Sequence, residues 1–358
     1  MPIYKKPNGT YYVSFYYKDN TGKSIRKKKE GFSKKKDAIM YMETFIAKNE
    51  GRTEMNFSSF VELYLEDTQA RTRVTTFDNK QYIIKSKILP YFENMKLTDI
   101  EPIHIRQWQN KLKLAGYKET YLRTVNNQLN AIFNYAVRYY NLPSAPTSKV
   151  EKIGKKNADK MLFWTKDECY DFKKYLNNDI LYNLIFDLFF YTGLREGELL
   201  ALTLDDIDFK TNKLYVRRSY QRLKGKDIFT PPKTPKSNRE ISLSSFLCES
   251  IKKYVEKRYN YKSNERLFPL NKNILNRKLK YIITKNNLKK IRIHDLRHSH
   301  VALLIELNVS ILLISERLGH DNPETTLRIY GHLYPNKHEE IAKQLNDLES
   351  EYKQTVRW

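Results

Sequence analysis

The stretch RLGHDNPETTLRIYGHLYP, residues 317–335, predicts two consecutive helices joined by a tight turn. Ser310 is a suitable N-cap for the first helix and Gly319 a suitable stop, because glycine readily adopts the left-handed backbone that ends helices. Asn322 is a suitable N-cap for the second helix, which then ends at Tyr330. The predicted turn therefore brings polar side chains from two helices close together.

Two tyrosines in this stretch are candidate nucleophiles. Tyr330 closes the second predicted helix beside Gly331, whereas Tyr334 lies beyond that helix and precedes Pro335. The helix end favours Tyr330, and His332 is then a neighbour of the nucleophile and not a catalyst. The alternative interpretation is a polar surface of two helices that carries no chemistry.

Composition indicates a multidomain protein that binds a polyanion. The 358 residues predict two to three domains, and a hydrophobic content of 40% is enough for real cores. The chain has 65 Lys and Arg against 41 Asp and Glu, a net charge of +24 and a pI of about 9.6. Because tyrosines and phenylalanines are interleaved with the lysines, this charge favours nucleic acid over a membrane surface. The alternative is a generically basic protein.

The sequence also predicts where the protein is found. It contains no run of about 18 apolar residues that would predict a transmembrane helix. The N-terminus MPIYKKPNGTYY lacks the apolar stretch of a secretory signal. The two cysteines, Cys169 and Cys248, do not suggest a disulfide framework, which fits a reducing compartment. We therefore expect a cytoplasmic protein with no membrane partner.

Residues 1–50 predict a small basic sheet backed by one helix. They hold 12 Lys and Arg against 5 Asp and Glu. Aromatic and β-branched residues at 10–17, the turn DNTG and a basic run at 23–29 predict a hairpin, and SKKKDAIMYMETFIAKNE predicts an amphipathic helix. A plain hairpin with solvated lysines is the alternative to a DNA-binding sheet. The DNA-binding candidates are Arg26, Lys27, Lys28 and Lys29.

Residues 56–145 predict a helical module. Apolar residues recur at helical spacing near its start, and further helices are predicted at 75–90, 102–115 and 118–140. The apolar stripe of the last helix is predicted to be core, with basic residues on the other faces. Two prolines, small residues and a charge run make 141–160 a linker by composition.

The third segment holds the candidate chemistry in four patches. They are TGLREGELLAL (192–202), PPKTPKS (231–237), IHDLRHSH (293–300) and RLGHDNPETTLRIY (317–330). Each patch has a plain alternative: a surface ion pair between Arg195 and Glu198, or ordinary hairpin lysines. His294 and His298 have the spacing of a zinc pair, but a catalytic zinc site needs three protein ligands and the His-Glu-x-x-His order is absent. We therefore expect no metal.

The order of these residues resembles the tyrosine recombinase (phage integrase) family. The matching series covers about 160 to 345 and consists of Arg195, Lys233, His294-x-x-Arg297, Gly319-His320 and Tyr330. The first two segments resemble the arm-binding and core-binding modules of the same family with weaker motifs. The resemblance is to the three-module, lambda-like integrases of phages and integrative conjugative elements.

This resemblance implies a multidomain α+β protein. It combines a small N-terminal β-sheet plus helix, an all-α core-binding domain and a mainly helical, mixed α/β catalytic domain. The expected boundaries are 1–54 for the arm-type DNA-binding domain, 55–145 for the core-binding domain, 146–160 for the linker, 161–340 for the catalytic domain and 341–358 for a C-terminal helical tail. Whether the tail packs on its own domain or on a neighbouring protomer stays open.

The chemistry of a phosphodiester explains the cationic residues of this series. In-line attack builds charge on the non-bridging oxygens, and the guanidiniums of Arg195 and Arg297 can clamp those oxygens. Glu198, one helical turn after Arg195, is expected to hold the basic groups in place. The 5′-oxygen needs a proton on leaving, and Lys233 is expected to deliver it, with Lys236 as the alternative.

Proton transfer at the nucleophile is assigned to histidines. A tyrosine with a pKa near 10 is only about one part in a thousand ionised at pH 7, so Tyr330 needs cationic surroundings or a base. His294 is expected to assist proton movement at the attacking oxygen, and His320 to contact the phosphate or orient the tyrosine. The scheme uses no metal, cofactor or ATP.

The resemblance implies a site-specific recombinase that cuts and rejoins DNA through a 3′-phosphotyrosyl intermediate to integrate and excise a mobile element. The expected partners are double-stranded core-type and arm-type attachment sites and three further copies of the chain in a tetramer. The alternatives are a type IB topoisomerase-like enzyme and a catalytically silent DNA-binding regulator. The sequence leaves open whether the element is a phage or a conjugative element, and whether an excisionase or a host DNA-bending protein takes part.

Overall fold

The chain folds into two compact units, Met1–Asp159 and Lys160–Trp358. The division falls at the end of the proline-rich and charged segment that the sequence predicts to be a linker. A computed structural model describes residues 2–18, 23–50, 55–156, 161–232, 235–320, 322–333 and 338–355.

The first unit begins with a three-stranded antiparallel sheet covered on one side by a helix. The strands and the helix are β1 (Ile3–Lys5), β2 (Tyr11–Lys18), β3 (Ser24–Phe32) and α1 (Lys35–Glu50). Alternate residues of a strand point to opposite faces, so Val13 and Phe15 of β2 are buried against Ala38 and Met42 of α1. The predicted small sheet backed by one helix is confirmed.

Five further α-helices follow in the described part of the first unit. They are α2 (Phe57–Arg71), α3 (Val74–Ile83), α4 (Leu89–Phe92), α5 (Pro102–Leu114) and α6 (Glu119–Tyr139). A π-helical turn, Ile84–Ile88, joins α3 to α4. The apolar stripe predicted along α6 is buried from Leu122 to Phe133, whereas Val137 near its end is 37% exposed. The helical module therefore has a core of its own.

A buried carboxylate of α1 caps the first turn of α2. Glu43 is 7% exposed and accepts hydrogen bonds from the Asn56 backbone N–H at 3.2 Å and the Ser59 hydroxyl at 2.5 Å. Asn56 occupies the N-cap position, but its own side chain makes no capping hydrogen bond. Glu43 supplies a negative group there, where helix N-termini favour one.

The second unit combines helices with two small antiparallel sheets. Its helices are α7 (Lys166–Lys174), α8 (Ile180–Thr192), α9 (Glu196–Leu199), α10 (Ser245–Glu256), α11 (Lys272–Lys285), α12 (Asp295–Glu306), α13 (Ile311–Leu318), α14 (Pro323–Tyr330) and α15 (His338–Thr355). Its strands are β4 (Ile207–Asp208), β5 (Lys213–Val216), β6 (Ser219–Leu223), β7 (Lys226–Thr230) and β8 (Arg239–Ser242). This is the mixed, mainly helical architecture that the sequence predicts.

Helix α8 lies at the centre of this unit, against α10 and α12. It is apolar on almost all sides, as expected for a helix that is buried all round. Gly193 ends it in the left-handed conformation, with φ +64°. A Cβ at Gly193 would lie 2.6 Å from the His300 ring, so only glycine lets the chain turn this close to α12.

The lysine-bearing segment after β7 does not join two paired strands. Strand β7 pairs with β6, whereas β8 pairs with β5 in the other sheet. The segment 231–238 therefore connects two sheets. A strand-like pattern on each side of a Pro-rich turn does not specify which neighbour each strand will pair with, and this pairing is a tertiary choice.

The last helix, α15, carries apolar residues on an exposed face. Leu345, Leu348 and Tyr352 are 60%, 61% and 63% exposed. Within the described ranges, no helix is long and apolar enough to cross a membrane.

Candidate active site

Arg195 is held by Glu198 at the start of α9. The Glu198 carboxylate accepts the Arg195 backbone N–H at 2.9 Å and the Arg195 Nη1–H at 2.7 Å. Glu198 is 4% exposed, whereas the Arg195 side chain is 36% exposed. One edge of the guanidinium is thus fixed by a buried carboxylate, while the side chain keeps access to solvent.

A second arginine, Arg239, binds the same carboxylate. Its guanidinium donates to Glu198 Oε1 at 3.3 Å and Oε2 at 2.9 Å, and its Nε–H donates to the Arg317 carbonyl at 2.8 Å. The Arg239 side chain is 6% exposed. The sequence interpretation did not single out this residue. The sequence did contain a signal that Arg239 points inward, because Arg239 and the buried Ile241 are two residues apart on one strand and so share a face.

Two guanidiniums keep Glu198 ionised. Burial alone would raise its pKa, but the charge of Arg239, its hydrogen bonds and the charge of Arg195 outweigh burial and lower the pKa to about 2. Glu198 is therefore a carboxylate at neutral pH, and it joins α9 to β8.

Arg297 lies on α12 and is only 3% exposed. It donates to the Gly193 carbonyl at 2.7 Å and to the Leu318 carbonyl at 2.6 Å, which fixes the plane of its guanidinium. Burial and the nearby charge of Arg195 lower its pKa to about 9, so it stays protonated at neutral pH. Among the described residues no carboxylate is within ion-pair distance of Arg297, and an anion is the natural partner for this charge.

His320 follows the stop of α13, as the sequence predicts. Gly319 adopts φ +65°, and a Cβ there would lie 2.8 Å from Arg239 Cδ and 2.9 Å from the Lys236 carbonyl oxygen. The His320 Nδ1 is 2.8 Å from the Thr326 hydroxyl on α14. Burial and the charge of Arg297 lower the pKa of His320 to about 4, so its ring is neutral at pH 7.

Tyr330 is the last residue of α14 and is 1% exposed. Its hydroxyl lies 2.6 Å from Nδ1 of His298 on α12. Burial raises the pKa of Tyr330 to about 12, and the charge of Arg297 opposes that rise. Gly331, predicted as the stop after this tyrosine, has a right-handed backbone and begins a 3₁₀ turn to Leu333.

His294, at the N-cap of α12, and His298 on that helix are neighbouring side chains, and His298 contacts Tyr330. Their rings are 5.3 Å apart in an edge-on arrangement, with His294 exposed and His298 half-buried. Partial burial and the charge of Arg297 lower the pKa of His294. The spacing in the sequence indicates only a possible zinc pair for His298, yet His298 is the residue that contacts the candidate nucleophile. Within the described part of the chain, no three His, Cys, Asp or Glu residues are grouped to hold a metal.

Two candidates fall outside the described residues. Lys233 and Tyr334 lie in the gaps at 233–234 and 334–337. The alternative lysine, Lys236, is described and lies exposed in the 3₁₀ turn Pro235–Ser237. The structure thus brings together the predicted Arg195, Glu198, Arg297, His294, His320 and Tyr330, and adds Arg239 and His298.

The four DNA-binding candidates of β3 are divided between the two faces of the first sheet. Residues paired directly across antiparallel strands point to the same side. The open face, which α1 does not cover, consists of Tyr12, Ser14, Tyr16, Arg26, Lys28 and Glu30. The helix face, which packs on α1, consists of Val13, Phe15, Lys27 and Lys29.

Contacts on each face agree with this division. Arg26 donates from Nε to the Ser14 hydroxyl at 3.0 Å on the open face, where Tyr16 is 66% exposed. Lys27 lies 5.3 Å from the ring centroid of Phe45 on α1. The basic run that looks continuous in sequence therefore offers two of its four charges, Arg26 and Lys28, on the open face.

Three family models match the chain along its length. They are the phage integrase family over residues 163–337, the phage integrase N-terminal SAM-like domain over 56–113 and the arm DNA-binding domain over 2–49. The ICEBs1 integrase of Bacillus subtilis (strain 168) is 31% identical over 375 residues, which cover 97% of this chain and 100% of that protein. The family resemblance seen in the sequence is confirmed.

Solved structures of DNA complexes share the fold. The Tn1549 transposon integrase in complex with a circular intermediate DNA has a TM-score of 0.66 at 17% identity, over 81% of this chain and 99% of that chain. A lambda integrase tetramer bound to a Holliday junction has a TM-score of 0.57 at 19% identity, over 90% of this chain and 96% of that chain. The chain belongs to the phage integrase family of tyrosine recombinases and is a site-specific DNA recombinase.

Proposed function

We propose that this recombinase cleaves one DNA strand by attack of the Tyr330 hydroxyl on a phosphodiester. The attack forms an Oη–P bond and breaks the P–O5′ bond, leaving a 3′-phosphotyrosyl link and a free 5′-hydroxyl. The observation that carries the proposal is the electrostatic grouping of Arg195, Arg297 and Tyr330. The charge of Arg195 lowers the pKa of Arg297, and the charge of Arg297 lowers that of Tyr330.

In this proposal the two arginines bind the non-bridging oxygens of the scissile phosphate. Arg297 is oriented by two carbonyls and has no described carboxylate partner, so an incoming phosphate supplies the missing negative charge. Arg195 is oriented by Glu198, which Arg239 holds in place. Because these groups are fixed before the substrate arrives, little reorganisation is needed in the transition state.

The remaining roles concern the phosphate and the leaving group. His320 is proposed to contact a phosphate oxygen, since its pKa of about 4 keeps the ring neutral and able to donate one hydrogen bond. His294, exposed beside the His298 ring, is proposed to assist proton movement during attack without contacting the Tyr330 hydroxyl itself. Lys233 is proposed as the acid that protonates the 5′-oxygen, with Lys236 as its alternative. Two guanidiniums and a lysine supply the positive charge, so the scheme includes no metal step.

The proposed substrate is a pair of double-stranded attachment sites, at which a tetramer exchanges strands. The lambda integrase relative forms a tetramer on a Holliday junction, and this supports the same assembly here. The second unit would act at the core-type site, and the open face of the first sheet would bind a separate arm-type site. An excisionase and a host DNA-bending protein are proposed accessory partners, and the bacterial nucleoid is the proposed place of action.

Strand transfer distinguishes this proposal from its alternatives. A type IB topoisomerase would form the same covalent link but relax supercoils without joining two sites, and a silent regulator would form no link. Membership of the integrase family and the matched arm and SAM-like modules favour recombination of specific sites.

The experiment uses a nicked duplex containing an end of the element, mapped by sequencing its excision junction. Loss of the short fragment beyond the nick traps the covalent complex. The full chain should form a covalent protein–DNA product and recombine two mapped sites, whereas Tyr330→Phe should bind the duplex and form no product. A covalent product from Tyr330→Phe would overturn the assignment of the nucleophile. Relaxation of plasmids without exchange of two sites would favour the topoisomerase.

A further inference from the structure

The Tyr330 hydroxyl has one hydrogen-bond partner among the described residues. That partner is Nδ1 of His298, 2.6 Å from the phenolic oxygen, with the two rings 5.5 Å apart at 53°. His298 lies on α12, one residue after Arg297, so a single helix carries a guanidinium and an imidazole to the same site. This contact was not assigned by the motif that predicted the other residues.

The direction of this hydrogen bond depends on the His298 tautomer, and a phenol O–H is a stronger donor than the N–H of a neutral imidazole. Burial, the ring of His294 and the charges of Arg292 and Arg297 keep His298 neutral, although Asp295 acts in the opposite sense. A neutral imidazole that accepts a proton at Nδ1 carries its own proton on Nε2. In that tautomer Tyr330 O–H donates to His298 Nδ1, and the phenolic proton points at a basic nitrogen.

The other histidines of the site are less suitable acceptors. His320 Nδ1 is engaged with the Thr326 hydroxyl, 2.8 Å away. His294 contacts the His298 ring edge-on and makes no described hydrogen bond to Tyr330. Geometry comes first in identifying a general base, because the base must lie within hydrogen-bond reach of the proton that it removes.

We propose that His298 is the proton acceptor for the tyrosine nucleophile, an inference that rests on the proposed function of Tyr330. As the Oη–P bond forms, the phenolic proton passes to His298 Nδ1, while the P–O5′ bond breaks and the 5′-oxygen takes a proton from the cationic acid. In religation the 5′-hydroxyl attacks phosphorus and returns its proton to the now deprotonated acid, while the departing tyrosine oxygen recovers its proton from His298.

Charge development in the transition state favours this transfer. Attack adds negative charge at the phosphate, and an imidazolium formed beside it at the same moment is stabilised by that charge. A histidine that is a weak base in the free protein therefore becomes a stronger base when the phosphate is bound. The acceptor also lies on the same helix as the phosphate-binding Arg297, so binding of the phosphate and removal of the proton are coupled.

The test measures single-turnover cleavage of the nicked duplex by full-length variants. His298→Asn places an amide oxygen that can accept the Tyr330 hydrogen bond but cannot take up its proton. We expect intact DNA binding with cleavage slowed about 10²–10⁴-fold, the usual contribution of general base catalysis. His298→Ala is the second variant, and its unfolding midpoint checks that the unit still folds.

Two modified reactants separate proton removal from other defects. A fluorinated tyrosine incorporated at position 330 has a more acidic phenol, so it should recover most of the rate lost in His298→Asn. A substrate with sulfur at the bridging 5′ position should not, because the defect is not at the leaving group. His320→Ala is the matched control, and fluorination should not restore its rate, because its proposed contact is with the phosphate.

Three results would overturn this role for His298. The first is wild-type cleavage by His298→Asn, which would reduce the histidine to a positioning contact. The second is failure of the fluorinated tyrosine to raise the rate of that variant, and the third is rescue by the sulfur substrate instead. None of these would affect the proposed nucleophile, which fails separately if Tyr330→Phe still forms the covalent product.

Discussion

Removal of Arg239 should destabilise the second unit, because it leaves Glu198 buried with half of its partners. Of the four hydrogen bonds that Glu198 accepts from arginines, two come from Arg239 and two from Arg195. The fall of the Glu198 pKa from 4.5 to about 2 corresponds to about 3 kcal/mol of folding stability at neutral pH. Breaking a buried ion pair costs about 3–5 kcal/mol, so we expect about 3 kcal/mol for Arg239→Ala.

Urea unfolding measures this loss. Trp164, buried in the core of the second unit, reports the transition when Trp108 and Trp358 are replaced by phenylalanine. With a slope of about 2 kcal/mol per M, the midpoint should fall by about 1.5 M. Lys213→Ala is the control, because it removes an exposed ion pair on the same sheet and should cost less than about 1 kcal/mol.

A double variant and a pH series test the cause. Glu198→Gln removes the buried charge, so Arg239→Ala should cost less in that background, with a coupling of at least about 1 kcal/mol. The contribution of Glu198 is complete above pH 4.5 and is lost as the pH falls towards 2, since its folded pKa is depressed. Additive losses in the double variant, or a cost for Arg239→Ala no larger than that for Lys213→Ala, would refute the reasoning.

Three further predictions concern the leaving group, the arm surface and acid stability. Lys233→Ala should slow cleavage by about 10²–10⁴-fold and be rescued by sulfur at the bridging 5′ position; rescue of Lys236→Ala alone would move the role to that lysine. Replacing Arg26 and Lys28 of the open face by alanine should weaken arm-site binding at least about tenfold. Replacing Lys27 and Lys29 of the helix face removes the same charge and should change binding little, and equal losses would contradict the division of faces. Burial, with the charge of Arg317, lowers the pKa of His300 to about 3, so folding stability should fall as the pH drops from about 6.5 to 3. In urea titrations His300→Gln should flatten that fall. An unchanged dependence of stability on pH would exclude this histidine as the cause.

Local signals in the sequence predicted the elements that carry the site. Ser310 caps α13 and Asn322 caps α14 through their side chains, and Gly319 ends α13 in the left-handed conformation. These features depend on a few neighbouring residues and on backbone geometry, so they can be read without tertiary information. The same holds for the buried stripe of α6, which follows from helical spacing.

Features that depend on tertiary packing were missed. Arg239 reaches Glu198 only because the fold brings β8 within side-chain reach of α9, although the two residues are 41 apart in the chain. His298 contacts Tyr330 across 32 residues, and nothing in the local sequence separates it from His294. Strand pairing likewise decided that β7 and β8 belong to different sheets. In each case the partner, and not the residue type, determines the role.

The sequence predicted the orientation of the β3 side chains only in part. The basic run of four residues is plain in the sequence, and the two-residue period of a strand already requires that neighbours point to opposite sides. What the sequence does not specify is which side α1 covers. Packing of α1 on Val13 and Phe15 fixes that side and leaves Arg26 and Lys28 on the open face.

Identification of the residue that becomes linked to DNA tests the central claim most directly. Covalent product trapped on the nicked duplex is digested with trypsin and nuclease, and the peptide of residues 329–337, which contains both Tyr330 and Tyr334, is fragmented in a mass spectrometer. We predict a 3′-linked nucleotide phosphate on Tyr330, with Tyr334 unmodified, and a free 5′-hydroxyl on the released strand. A nucleotide on Tyr334 or on any other residue, or a 5′-linked phosphate, would contradict the proposed mechanism.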